Sequence, residues 1–445
     1  MTFIPNSTVS SEMLEAIGVS NVADLFADVP TAVRAKSWNL PAGRGEIDVV
    51  RYLREALSKN RPTTESPSFV GGTLKEHFIP SFVPRLMFRQ EFYTSYTPYQ
   101  AELAQGTLQA LFEYQSLVSD IVELPVVNGS MYDYSTALAE AGLMTYRVTG
   151  RKKLLVPRAL HPERKSTLRN YVQGHGVELV EYGYDATTGQ ADAADVRSKL
   201  GRDAAGLLVE SPNLFGVLEE VGPLAEAAHQ AGALVIQGFD LTSLGLVATP
   251  GQNGVDIAVG DGTTLVFPPG GPQLGIFACK EEFVRSMPGR LIGATRDRRG
   301  QRAYCMTLQT REQHIRRERA TSNICTNEAL LAIGLGAHLA ALGPKGLAEL
   351  AQLNFERAQQ LRDRLETEAG WKPLFTGPTY NEFTVTTPQA AESLFETLGT
   401  KGITPGWPLS RALPERGDAL VVCSTEVHSD QDHARFVRAI KEVAP

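Results

Sequence analysis

The chain has 445 residues, of which 42% are hydrophobic and 21% charged, and this composition is typical of a globular protein and not of a disordered or fibrous one. Its 43 Lys and Arg residues are outnumbered by 50 Asp and Glu residues, and the resulting net charge of −7 argues against binding to the phosphate backbone of nucleic acids. The four cysteines (Cys279, Cys305, Cys325 and Cys423) are far apart in sequence and have no histidine at ligand spacing, so we expect no metal site, no disulfide framework and a cytoplasmic location.

Residues 1–98 are predicted to form an N-terminal helical and wrapping segment. Residues 11–18 and 46–60 show apolar positions at helical spacing, and Gly18 is a typical helix end. Residues 60–98 contain many prolines and glycines, which permit little regular structure. We therefore expect this second part to wrap over another surface of the protein.

Two further observations concern the cellular location. The beginning of the chain lacks the basic and apolar regions of a secretory signal. The apolar run at 329–343 is shorter than the roughly 18 residues that suggest a membrane span. We therefore expect neither export nor membrane insertion.

Residues 99–300 are predicted to form a large α/β domain. Helical and strand patterns alternate between about 105 and 280, which favours βαβ units on a mostly parallel sheet. The last three predicted strands, VDIAVGD, TTLVF and LGIFAC, follow each other too closely for crossover helices, so at least one of them should be antiparallel. Residues 301–445 begin with a helix-rich stretch and continue with mixed strands and helices, which predicts a smaller α+β domain.

Motifs of several enzyme classes are missing from the sequence. The GxG at Gly260 and Gly262 lacks the third glycine of a dinucleotide-binding loop, and there is no GxxxxGK[ST] motif. The HExxH and GxSxG motifs are also missing. The sequence therefore gives no support to a nucleotide site, a zinc protease or an α/β-hydrolase.

The alternating pattern instead suits enzymes that use pyridoxal phosphate (PLP), which need a lysine, an anion beside the pyridinium nitrogen and helix N-terminal donors for the phosphate. Ser130 lies in a stretch of small and hydroxylated residues before a helix, as a phosphate cradle requires. An ordinary N-cap at Ser130, Asp133 or Ser135 explains the same pattern and is favoured by the sequence alone. Asp240 follows the strand ALVIQ and is a candidate anion partner, or else a turn residue.

The lysine is the missing part. The sequence has no Lys between Lys199 and Lys280, where the cofactor-binding residue is expected. Threonine hydroxyls, such as that of Thr263, lack the amine that this chemistry needs. Lys280 closes the strand LGIFAC and is expected at its far end. The sequence thus predicts the fold of a PLP enzyme without its catalytic lysine.

Several segments resemble subunit 1 of glycine dehydrogenase (decarboxylating), the α half of the split glycine-cleavage P-protein. They are YTPYQAELAQGTLQALFEYQ (96–115), NGSMYDYSTALAEAGLM, SPNLFGVLEE, MPGRLIGAT and TLQTREQHIRRERATSNICTNEALLA (307–332). The likeness extends over essentially the whole chain.

The resemblance implies a PLP-dependent transferase fold of the aspartate-aminotransferase type (fold type I). It also implies a homologous subunit 2 that carries the PLP lysine in a His-Lys-Thr segment before a GGP turn. Superposing the GGP turns puts Thr263 near the lysine position, although this chain is about two residues shorter there. PLP would then be bound by subunit 2, and no cofactor would be bound covalently to this chain.

The function implied by the resemblance belongs to a complex. With subunit 2, the chain would decarboxylate glycine, release CO2 and pass the aminomethyl group to the lipoyl arm of H-protein, as an obligate part of an oxidoreductase. The expected assembly is an α2β2 heterotetramer. This chain would complete the partner's active site and stabilise the assembly.

Six residues are candidates for the partner's pocket or for the interface: Tyr96, Tyr99, Gln100, His77, Arg290 and Arg311. Paired tyrosines supply rigid amphipathic contact area, or else pack on their own domain. The histidine could transfer protons near neutral pH, or else lie in a solvated loop. The arginines could bind a carboxylate, or else form ordinary ion pairs.

Two alternatives stay open at the level of sequence. The chain could be a non-catalytic scaffold or regulatory pseudoenzyme of the same fold. It could also be a self-sufficient PLP enzyme that uses Lys280.

Overall fold

The computed structural model describes residues 8–35, 37, 39–72, 75–324 and 327–443. These form two compact units, one ending at Arg61 and the other beginning at Pro62. The division into domains at residues 98 and 300 stays a prediction.

The α-helices are α1 (Ser10–Ile17), α2 (Glu46–Leu57), α3 (Phe82–Met87), α4 (Gln90–Tyr93), α5 (Gln105–Val122), α6 (Tyr134–Thr149), α7 (Pro162–Gln173), α8 (Ala193–Lys199), α9 (Val221–Gln230), α10 (Gln313–Arg316), α11 (Ala329–Ala369), α12 (Ala391–Thr400) and α13 (Asp430–Val443). The strands are β1 (Val126–Val127), β2 (Lys153–Pro157), β3 (Glu178–Tyr182), β4 (Ala204–Ser211), β5 (Leu234–Asp240), β6 (Ile257–Asp261), β7 (Gly275–Cys279), β8 (Leu291–Arg296), β9 (Arg302–Thr307), β10 (Lys372–Pro373), β11 (Glu382–Thr386), β12 (Trp407–Pro408) and β13 (Ala419–Cys423).

The first unit consists of α1, α2 and short 3-10 turns. Helix α1 ends at Gly18, as predicted, because glycine adopts the left-handed conformation (φ 81°) without a steric cost. None of the described residues of this unit is buried. The unit therefore has no hydrophobic core of its own.

The second unit is built on a seven-stranded sheet with the order β1-β7-β6-β5-β4-β2-β3. Strands β2 to β6 pair in parallel, and β7 is antiparallel to both of its neighbours, which confirms the expected antiparallel addition. The prediction of a strand at TTLVF is wrong, because Thr263–Leu265 form a 3-10 turn. The Asp261 side chain accepts the Thr263 N–H at 2.8 Å, and Pro268 and Pro269 cannot donate to a ladder.

Helices cover both faces of this sheet, as the alternating pattern predicts. Leu207 and Val235 belong to the core shared with α5, α9 and α11. Their neighbours Leu208 and Ile236 face α6 and α7 on the other side. Such double burial explains why β4 is apolar throughout most of its length.

Helix α11 is longer than its apolar run suggested, and by length and composition alone it could cross a membrane. Gly343 interrupts its helical backbone just before Pro344. Leu331, Leu335 and Leu339 are buried in the core against the large sheet. The helix thus serves as a core element of this fold.

The C-terminal part forms an antiparallel sheet with the order β10-β11-β13-β12, and β8 and β9 form a separate hairpin. Apolar residues of α11, α12 and α13 form the core on this small sheet. Ser68 and Val70 form single bridges to Thr404 and Val422. The stretch before α3 therefore lies against the small sheet, and its residues Gly72 and Lys75 lie at the end of the large one.

Candidate functional site

A small cavity lies at the carboxyl ends of the parallel strands β4, β5 and β6, which is where open α/β sheets bind ligands. Strand β11 and the loop around residue 75 close it. Its lining consists of Gly72, Lys75, Tyr134, Arg164, Pro212, Asn213, Phe239, Asp240, Leu241, Thr242, Asp261, Thr264, Leu265 and Glu382. Its volume is about 50 Å³, whereas pockets for cofactors and drug-sized ligands measure roughly 300–1,000 Å³.

The Lys75 ammonium lies at the centre of the polar contacts. Its Nζ is 2.6 Å from Asp240 Oδ2 and 2.8 Å from Glu382 Oε2, and it donates to Asn381 Oδ1 at 3.2 Å. The ammonium has three protons and here meets three acceptors. The side chains of Lys75 and Asp240 are each 12% exposed, so the pair is held largely away from water.

The charges of this cluster hold each other in the ionised state. Burial by itself lowers the pKa of Lys75, but Asp240 and Glu382 offset it, so the pKa lies above its ordinary value. Burial likewise raises the pKa of Asp240, but the charges of Lys75 and His77 bring it below its ordinary value. At neutral pH the amine is therefore an ammonium ion and not a nucleophile.

A second set of buried polar contacts at the cavity involves Arg164 and Tyr134. Arg164 donates to Glu210 Oε1 at 2.8 Å, and its guanidinium lies 4.1 Å from the centre of the Tyr134 ring. The Tyr134 hydroxyl donates to the same Glu210 oxygen at 2.7 Å. A Cβ at Gly238 would be 2.0 Å from that hydroxyl, so glycine is required for the ring to lie across the sheet.

The structure places some predicted site residues at the cavity. Asp240, the candidate anion partner or turn residue of the sequence, lies there, and its Oδ1 accepts from the Thr242 N–H, the Thr242 hydroxyl and the Ser243 N–H. Thr263 is buried, and its hydroxyl accepts the Leu274 N–H at 2.8 Å. Its neighbour Thr264 is the threonine that lines the cavity.

Other predicted residues lie elsewhere. Lys280 pairs with Asp256 at 2.6 Å, at the end of β6 opposite to Asp240. Asp133 is the N-cap of α6, and its side chain accepts the Thr136 N–H. Ser130 is buried, and its hydroxyl makes no hydrogen bond among the described residues. The ordinary N-cap is therefore made by Asp133.

Arg290 is buried and contacts the loop before α5. It donates to the Tyr99 hydroxyl at 2.8 Å and to the Thr97 hydroxyl at 3.1 Å, and Glu312 lies 3.7 Å from its Nε. Arg311 donates to the carbonyls of residues 287 and 289. Both guanidinium groups thus hold loops together in this chain.

Tyr96, Tyr99 and Gln100 lie on the surface. Tyr96 is 74% exposed and Tyr99 is 49% exposed. Gln100 is also exposed. Their exposure is consistent with contact surface, although the Tyr99 hydroxyl also accepts a hydrogen bond from Arg290.

His77 lies next to an open groove and does not belong to a solvated loop. Its Nδ1 is 2.9 Å from Glu426 Oε2, and the Phe78 N–H donates to Glu426 Oε1 at 2.7 Å. The groove has a volume of about 1020 Å³, and Pro268 and Pro269 form part of its wall. The loop that carries Lys75 inward therefore also carries Phe78 to an outer surface.

Sequence reasoning missed Lys75, Arg164 and Glu382 as residues of the cavity. Of these, Lys75 follows two glycines, and a Cβ at Gly71 would be 2.8 Å from Glu382 Oε1. Such a glycine pair indicates that the backbone there lies close to another part of the chain, and this pattern could have drawn attention to Lys75. Arg164 and Glu382 show no local pattern.

Within the described ranges no three His, Cys, Asp or Glu side chains are arranged to hold a metal ion. Cys279 and Cys423 are buried and Cys305 is half-buried. Burial raises the pKa of the Cys279 thiol to about 12, so it is not a thiolate at neutral pH. Cys325 lies outside the described residues.

Comparisons with known proteins agree with the likeness seen in the sequence. A family model described as "Glycine cleavage system P-protein" matches residues 1–438. The "Probable glycine dehydrogenase (decarboxylating) subunit 1" of Thermococcus onnurineus is 46% identical over 99% of both chains. The protein of the same name from Desulfitobacterium hafniense is 42% identical over 100% of both chains.

Solved structures give the same result. A crystal structure of glycine decarboxylase (P-protein) of the glycine cleavage system, in inhibitor-bound form, is 39% identical with a TM-score of 0.92 over 100% of both chains. A cysteine desulfurase from Thermococcus onnurineus is 18% identical with a TM-score of 0.62, over 91% of this chain and 99% of the other, which shows the shared fold alone. The fold is thus the fold type I architecture of PLP-dependent enzymes, and the chain belongs to the glycine cleavage system P-protein family, among the proteins named subunit 1.

Proposed function

We propose that this chain is an obligate, PLP-free subunit of a glycine dehydrogenase (decarboxylating). PLP is bound by subunit 2, and the two chains together decarboxylate glycine, release CO2 and pass the aminomethyl group to the lipoyl arm of H-protein. This chain completes the partner's active site. The assembly is an α2β2 heterotetramer in the cytoplasm.

One observation supports the division of labour most directly. The described lining of the cavity contains a single amine, that of Lys75, and it is an ammonium ion bound by three acceptors. Thr264 faces the cavity near the expected lysine position. The residues of this cavity therefore do not fit a cofactor bound to a lysine, and its volume of about 50 Å³ is too small for PLP.

The existence of a partner chain is supported by the name of the relatives, subunit 1, and by an exposed apolar stretch of this chain. From Phe78 to the start of α5, five side chains are strongly exposed: Phe78 at 65%, Phe88 at 56%, Tyr93 at 60%, Tyr96 at 74% and Leu103 at 83%. Aromatic residues are enriched at the centre of protein interfaces. So many apolar side chains in one stretch favour a surface that a second chain covers.

The groove beside His77 suits the role of completing a neighbouring site. It is open, and its lining combines apolar side chains with the His77–Glu426 pair. A histidine in this position can hold or release a proton near neutral pH. We infer that this groove faces subunit 2.

Exchange of labelled bicarbonate into glycine tests the proposal. With lipoylated H-protein present, we expect exchange from the two subunits together, and little or none from either subunit alone. Appreciable exchange by this chain alone would contradict the proposal. Full exchange by subunit 2 alone would instead favour the alternative of a non-catalytic scaffold.

A further inference from the structure

The way in which Asp240 is bound has a consequence for the cavity itself. Its Oδ1 already accepts from the Thr242 N–H, the Thr242 hydroxyl and the Ser243 N–H, so these contacts fix the carboxylate at the end of β5. Its other oxygen, Oδ2, contacts Lys75 Nζ at 2.6 Å. A carboxylate that partners the pyridinium nitrogen of PLP would present one oxygen in the same manner.

The lysine reaches this oxygen from a distant part of the chain. Lys75 precedes Asp240 by 165 residues and enters over the end of the sheet. Its own loop is bound to the small sheet, because Glu382 Oε1 accepts the Gly72 N–H at 2.5 Å and the Thr425 hydroxyl donates to the Glu76 carbonyl at 2.5 Å. The ammonium is therefore held in place from both sides.

We propose that Lys75 is a built-in substitute for the cofactor's pyridinium cation, so that the cofactor cavity of this chain is a permanently filled ammonium site. This goes beyond the missing lysine of the proposed function, because it states what occupies the site. It concerns this chain alone and needs neither PLP nor subunit 2.

The surrounding charges agree with a site that requires a cation. Asp240, Glu382 and Asp261 are the carboxylates of the lining, and Lys75 and Arg164 are its cations. Arg164 is already bound to Glu210, whose side chain is 1% exposed. Replacement of Lys75 by Ala would thus leave two buried carboxylates without the ammonium that contacts them, in a cavity enlarged by three methylene groups and that ammonium.

Chemical rescue tests this inference on the full chain. We expect Lys75→Ala to lower the Tm by about 5–10 °C, since a buried ion pair loses one partner. n-Propylammonium chloride should restore several degrees to this variant. Tetramethylammonium chloride, which has no N–H donor, and sodium chloride at equal ionic strength should not.

Two variants serve as matched controls. Lys199→Ala removes a lysine that pairs with Asp195 at the surface, and it should change the Tm little and gain nothing from n-propylammonium. Lys75→Met keeps the stem but not the charge, and it should lose stability without being rescued, because no room is left. An unchanged Tm in Lys75→Ala, or equal stabilisation of all variants by the amine, would overturn the proposal.

If Lys75→Ala does not fold with or without n-propylammonium chloride, the inference is tested in the Asp240→Asn/Glu382→Gln background. Without the carboxylates, Lys75→Met should lower the Tm by less than half as much as in the natural chain. The same loss in both backgrounds would overturn the proposal.

Discussion

His77 and Glu426 form a buried pair whose charges depend on each other. Burial lowers the pKa of His77, but the Glu426 carboxylate offsets it, with a further contribution from Asp240, so the pKa is raised. The nearby Lys75 charge acts in the opposite direction. Burial raises the pKa of Glu426, but His77 and the Phe78 N–H bring it below its ordinary value.

This pair predicts a pH-dependent stability. The contribution of His77 is fully present below its ordinary pKa of 6.5 and is lost as the pH rises through the raised folded value. The contribution of Glu426 is present above 4.5 and is lost as the pH falls through the lowered one. We therefore expect His77→Gln to cost about 2 kcal/mol of unfolding free energy near pH 5–6, and less at pH 9.

Urea unfolding at several pH values checks this expectation. His175→Gln is the matched control, because His175 is exposed and its described contact is with the Tyr146 ring. A loss in His77→Gln that is independent of pH would show that the contribution is packing and not charge.

At the scale of elements, α2 shows the spacing of an amphipathic helix whose apolar side is not buried by the described residues of its own unit. Val50, Leu53 and Leu57 follow each other at three and four residues and are 39%, 48% and 60% exposed. Helices of this length are marginal in water unless their apolar face is packed. An assembled complex would supply that packing.

We therefore predict that Val50→Ser/Leu57→Ser weakens the binding of subunit 2 about 10- to 100-fold, since two apolar side chains would no longer be buried on association. Titration calorimetry or quantitative co-purification measures the change. Glu55→Ser, on the same helix, is the control and should bind as the natural chain does. Unchanged affinity in the double variant would show that α2 does not contact the partner.

At the scale of the whole molecule, we expect the two subunits to differ in their PLP content. The cavity of this chain is too small for PLP, and the ammonium group of Lys75 lies in its wall. Lys280 lies at the opposite end of β6. We predict no saturable PLP absorbance band from the purified chain. The complex should contain one PLP for each pair of subunits.

Absorbance titration together with the phosphate content of the dialysed proteins measures this. A saturable band from this chain alone would revive the self-sufficient enzyme that uses Lys280. A Lys280→Ala variant would then show whether that residue is responsible.

Much of the large sheet could be predicted because its strands have local signatures. The strands predicted at VDIAVGD and LGIFAC are observed as β6 and β7, and the antiparallel direction of β7 followed from the short distance between strands in the sequence. The hairpin β8–β9 was missed, since its strands lie within segments that show no clear alternation. TTLVF was misread because an apolar, β-branched run is also compatible with a turn when prolines follow it.

The sequence by itself determined the family, the alternation of helices and strands in the large sheet and the lack of a lysine between Lys199 and Lys280, because these are properties of the residues in order. Only the tertiary structure decided that Lys75 lines the cavity, since its contacts with Asp240 and Glu382 join positions 165 or more residues apart. No local pattern encodes such a contact. It arises from folding, which brings a glycine-flanked loop over the ends of the strands and leaves two buried carboxylates that require a cation.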